Sequence, residues 1–95
     1  MTQFKITAKV PTVYQYASLT HFAMSITKHG NGSYSAEQIF DSKDEAIAYL
    51  EQRAEKYIET EQELIEAIEE INKYDRLKLD AATAYIEEVE EETED

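Results

Sequence analysis

The sequence contains no cysteine, only two glycines, a single proline and nine basic residues against twenty-one acidic ones. Without cysteine there is no disulfide framework, zinc knuckle or thiol nucleophile, so the usual staples of a small secreted protein are missing and a cytoplasmic location is expected. Residues 1–10 alternate polar and apolar and include Lys5 and Lys9, unlike the apolar core of a signal peptide. No run approaches the ~20 apolar residues that span a bilayer. Both glycines fall in one stretch, Gly30-Asn31-Gly32, too short for a phosphate-cradling loop and followed by no strand-to-helix transition. Asn31-Gly32 instead suits a tight hairpin turn, because both residue types tolerate positive φ.

The scarcity of basic charge is uneven. Residues 1–40 hold Lys5, Lys9 and Lys28 against Glu37, a net of +2, whereas residues 41–95 hold six basic groups against twenty acidic ones, a net of −14; the halves sum to −12. Such a chain repels phosphate backbones and anionic leaflets, so the expected partner is a protein, with no direct nucleic-acid and no membrane binding.

At 95 residues and 42% hydrophobic content the chain suits one domain, burying roughly 60–65% of its unfolded surface and leaving little room for a deep cleft. Its main packing stripe lies in residues 42–71, where Ile47, Leu50, Ala54, Tyr57, Leu64, Ile68 and Ile71 recur at helical spacing. Upstream, Phe4, Ile6, Ala8 and Val10 alternate with polar neighbours as a half-buried strand ended by Pro11. Residues 11–20 have no clean period and fit either a loop or a bulged strand continuation. Alternation predicts a second strand over residues 20–28 and a third over residues 33–40.

Ser42-Lys43-Asp44-Glu45 is a capping-box pattern that starts a helix. Thr60-Glu61-Gln62-Glu63 repeats it, and Glu61 occupies a position where an unbroken heptad wants an apolar residue, so a broken helix is expected, with one long helix as the alternative. Leu77, Leu79, Ala81, Ala82, Tyr85, Ile86 and Val89 predict a third helix capped by Asp75 or Asp80. The expected organisation is thus an α+β domain over residues 1–89, with about three antiparallel strands packed against two or three acidic helices, and a solvated acidic tail over residues 90–95.

Catalytic chemistry finds no pattern to attach to. His21 and His29 on a continuous strand would stand roughly 26 Å apart at about 3.3 Å per residue, too far to share an ion. No serine lies in a G-x-S-x-G elbow or S-x-x-K arrangement. The acids lack the glycine-centred calcium-loop pattern, and they fall on solvated helix faces with nothing to separate their pKa values. A non-enzymatic protein with no cofactor and no metal site is expected. Eight glutamates between Glu51 and Glu70 give about one charge per 4 Å at a ~1.5 Å rise, close to the ~3.4 Å spacing of a single DNA strand. Imitation of a nucleic-acid backbone is therefore the sharper reading of this face, and simple solubilisation the plainer one. The expected partner-binding set is Glu55, Glu59, Glu63, Glu66 and Glu70 as an acidic ridge, with Tyr14, Tyr16 and Tyr74 as aromatic anchors. Exposure of Ile58 and Ile65 would instead favour a homodimer of structural or regulatory type.

A three-strand sheet leading through Phe40-Asp41-Ser42-Lys43-Asp44-Glu45-Ala46 into acidic helices resembles the small phage-encoded inhibitors of bacterial defence, particularly anti-CRISPR proteins, in size, charge and organisation. The resemblance implies an inhibitor that binds a nucleic-acid-handling complex in the host cytoplasm, and it assigns no particular residue.

Overall fold

The computed structural model describes residues 2–90. In chain order it comprises β1 (Thr2–Val10), a 3-10 turn (Val13–Gln15), α1 (Tyr16–Thr20), β2 (Ser25–Lys28), β3 (Tyr34–Phe40), α2 (Lys43–Tyr57), α3 (Glu61–Tyr74), β4 (Arg76–Leu79) and β5 (Ala82–Glu90). The fold is α+β: one antiparallel five-stranded sheet, ordered β2-β3-β1-β5-β4, with α2 and α3 layered on one face. The molecule is only 18 Å across its thinnest axis, as two layers require.

The alternation of β1 sets the core. Ile6, Ala8 and Val10 are buried, and Ala8 stands in register between Ala36 of β3 and Ala84 of β5. This row of small side chains leaves room for α2, which crosses β1, β3, β5 and β4 and buries Ala46, Leu50 and Ala54. Close packing of this kind is the main stabilising term of the domain.

The helix starts and stops follow local chemistry. The Ser42 hydroxyl accepts from the Glu45 backbone N–H at 3.1 Å, capping α2. At Ile58 the backbone turns extended (φ −97°, ψ 119°), and Thr60 is again extended before α3 begins, so the helix is broken as its sequence predicts. The hairpin between β2 and β3 also forms at the glycines: Gly32 adopts φ 90°, its N–H donates to His29 O, and Asn31 Oδ1 accepts from Ser33 N–H.

Three expectations are corrected. Residues 11–20 are neither loop nor strand but the 3-10 turn and α1, anchored by buried Leu19. The second strand shrinks to Ser25–Lys28, because Ala23 takes a left-handed φ of 54° that breaks the extended chain although Phe22, Met24 and Ile26 alternate like a strand. The third helix over residues 77–89 is instead the β4–β5 hairpin. Leu77, Leu79, Ala82, Ala84 and Ile86 point inward across a two-residue turn, with Asp80 at φ 58°, while Tyr85 and Val89 lie on the opposite face. Asp75 caps no new helix; it ends α3 in the left-handed conformation. The expected acidic tail begins within this hairpin, since Glu90 closes β5 opposite Thr2; residues 91–95 lie outside the described residues.

Ala23 offers a simple test of backbone strain. A left-handed alanine costs about 1–2 kcal/mol, and glycine removes that cost while losing more unfolded-chain entropy. Ala23→Gly should therefore raise stability by about 0.5–1 kcal/mol, read as a higher midpoint in thermal unfolding. A lower midpoint would mean that the Ala23 methyl group supplies packing.

Candidate docking groove beside the edge strand

Folding turns the sequence's charge asymmetry into an asymmetry of faces. On the sheet face away from the helices, Lys5, Lys9, Arg76 and Lys78 stand against Glu37 and Glu87, with Thr7, Thr83 and Tyr85 between them. Arg76 and Lys78 come from the acidic half of the chain yet start from this basic face, because β4 presents its two leucines inward and its two cations outward; the Arg76 guanidinium then reaches back to Glu70 of α3. Thr7 Oγ1 is buried on that face without a hydrogen-bond partner.

The helical layer carries the acids, and α3 sorts them. Leu64, Ala67 and Ile71 turn to the core. At 100° per residue, Ile65, Glu69 and Asn72 then fall on the flank toward α2, where Asn72 donates to Glu51 at 2.8 Å. Glu63, Glu66 and Glu70 fall on the other flank and line a groove of about 670 Å³ beside β4. Tyr57, His21, Asp80 and Tyr85 line it as well.

The expected ridge of five glutamates is therefore divided. Glu63, Glu66 and Glu70 share the groove; Glu55 lies exposed on α2 and Glu59 in the connection between helices, and neither lines it. Glu70 is already neutralised, since Arg76 Nη2 and Nε approach its Oε1 at 2.6 and 2.7 Å. Glu63 accepts from the Thr60 hydroxyl at 2.5 Å and Glu66 from the Gln62 amide at 3.1 Å. Among the described residues neither meets a cation, which leaves both charges available.

The three tyrosines also separate. Tyr14 is 91% exposed in the 3-10 turn, and Tyr16 packs edge-on against Tyr34 of β3 at 5.2 Å. Tyr74 precedes β4, three strand spacings or about 14 Å across the sheet from β3. Its ring is flanked by Arg76 at 4.9 Å and Lys73 at 5.5 Å, so it serves the Glu70–Arg76 pair before it serves any partner. Tyr57 and Tyr85 are the aromatics that reach the groove. The alternation Arg76-Leu77-Lys78-Leu79 was the signal for a strand there, and a helical reading of residues 77–89 hides it.

Ser18, His21 and Asp80 meet beside the groove, the residue types of a hydrolytic triad. Their wiring is different. The Ser18 hydroxyl donates to Asp80 Oδ2 at 3.3 Å and accepts from the Ala81 N–H at 3.1 Å, whereas His21 Nε2 is 4.0 Å from the same carboxylate and its ring lies 4.4 Å from that of Tyr57. A nucleophile must hand its proton to the base, and this buried hydroxyl gives it to the acid. The cluster pins the β4–β5 turn to α1. Nearby, the Tyr49 hydroxyl donates to Phe22 O and Ala23 O; burial pushes the pKa of this phenol up, opposed in part by the Arg53 guanidinium.

The apolar strip expected at Ile58 and Ile65 does not form as a pair. Ile58 packs against the core, and Ile65 alone stays half exposed. No family model, curated protein or solved structure matches the chain.

Proposed function

We propose that this protein is a non-enzymatic inhibitor that binds, through the acidic flank of α3, the basic surface with which a host defence complex of CRISPR type holds nucleic acid. The observation that carries this reading is the pair Glu63 and Glu66, charged and uncompensated beside a groove, in a helical stretch (residues 43–74) with ten acidic groups against four basic ones, a net of −6. The resemblance of the chain to small acidic phage inhibitors points the same way. The partner is a protein with a Lys/Arg-lined groove, and neither cofactor nor metal takes part.

Complementary fields speed encounter and weaken with salt, because the Debye length shrinks from about 10 Å at 0.1 M to about 3 Å at 1 M. Binding to purified CRISPR effector complexes, measured across that range, should fall steeply, and guide or target nucleic acid should compete. Binding that ignores both salt and nucleic acid would make the acidic flank a solubilising surface and refute the proposal.

A further inference from the structure

We propose that the open edge of β4 takes up an extended segment of the partner as a sixth strand, with Lys or Arg side chains facing α3 and acidic side chains facing the basic sheet surface. This rests on the function proposed above and specifies how the partner is held. Among the described residues no strand lies beyond β4. The two-residue turn makes Leu79 and Ala82 a hydrogen-bonded pair, and the Ile86 N–H donates to Asp75 O at 2.8 Å. Antiparallel pairing alternates, so Asp75, Leu77 and Leu79 spend their backbone groups on β5, and Arg76 and Lys78 turn theirs to the free edge. Two N–H and two C=O groups thus border the acid-walled groove.

Charge then selects the occupant. A strand laid along this edge sends alternate side chains up toward Glu63 and Glu66 and down beside Lys78, Arg76 being engaged by Glu70, so opposite charges must alternate along it. Two copies of β4 paired with each other would bring the uncompensated Glu63 and Glu66 of both copies to the same side of the sheet and add Lys78 of each copy below it, so that like charges accumulate on both faces. The edge is therefore blunted against its own kind and open to a strand of the stated pattern, the strand-addition mode in which main-chain bonds give affinity and alternate side chains give specificity.

The test uses the full-length protein and a synthetic peptide of about ten residues, a common strand length, alternating Lys with Glu. Its zero net charge removes bulk attraction to an acidic protein. The controls have the same composition in two blocks, or carry N-methyl groups on alternate amides. Followed by amide resonances, the alternating peptide should shift and protect the Arg76 and Lys78 N–H groups and bind at least about tenfold more tightly than either control. Equal binding of the N-methylated peptide, or no preference over the block peptide, overturns strand addition. If Glu63→Lys with Glu66→Lys nevertheless abolishes binding to the defence complex, the proposed function stands without it. Concentration-dependent self-association that shifts the same two amides in the absence of peptide would assign the edge to a second copy and also overturn the proposal.

Discussion

Replacing Phe22 with alanine should lower the unfolding free energy by about 3–5 kcal/mol, the usual cost of deleting a fully buried aromatic ring. Phe22 is the largest fully buried side chain, and it sits in the break between α1 and β2 rather than in a regular element. The chain around it is clamped to α2: Arg53 Nε donates to His21 O at 2.8 Å, and the Tyr49 hydroxyl donates to Phe22 O at 2.6 Å. Neighbours held this firmly cannot collapse into the space left behind, so the cavity term adds to the transfer term. In a domain of this size each kcal/mol moves the midpoint by about 4–8 °C, which sets the expected fall in thermal unfolding at about 12 °C or more. A fall below about 5 °C would mean that the segment is loosely packed and can close over the missing ring.

The second large effect concerns binding. Glu63→Lys combined with Glu66→Lys should weaken association with the proposed defence-complex partner at least about tenfold and abolish the proposed inhibition, with the circular-dichroism spectrum unchanged. Exposed substitutions alter stability by only about 0.5 kcal/mol each. Glu63 lies in the first turn of α3, where a cation opposes the helix dipole, so a further loss of about 0.3–1 kcal/mol is expected there. The informative control is Glu55→Lys with Glu59→Lys, which makes the same change in net charge away from the groove. Equal loss from both pairs would show that total charge, rather than the α3 flank, drives binding. No loss from either would remove the acidic surface from the mechanism.

What could be read in the sequence was whatever neighbouring residues decide among themselves. The strand at Phe4, Ile6, Ala8 and Val10, the Asn31-Gly32 turn, the Ser42 cap and the break before Glu61 each depend on a handful of adjacent positions, and each is present in the structure. Residues 77–89 were misread because alanines, leucines and a tyrosine fit the periods of both helix and strand once a two-residue turn shifts the count. The decision lay with β1, whose Ile6 and Ala8 offer Ile86 and Ala84 a partner more than seventy residues away. Ala23 was opaque for a similar reason: an alanine goes left-handed only where packing of Phe22 and Met24 on either side forces it to. The groove is less legible still. Glutamates can be counted on a helix, but whether Glu63 or Glu55 faces an open sheet edge depends on strand order.

The position of β1 sets a timetable for assembly. One of its two neighbours, β5, follows it by more than seventy residues of chain, and Thr2 meets Glu90. At the ~5–20 residues per second of synthesis, the strand waits roughly 4–18 s for that neighbour. During the wait β3 can cover one side of β1, but the other remains bare, and α2 has only part of its floor. The nascent chain is thus most open to wrong pairing just before β5 arrives. Lys5 and Lys9 on that waiting strand help to keep it from pairing with other chains.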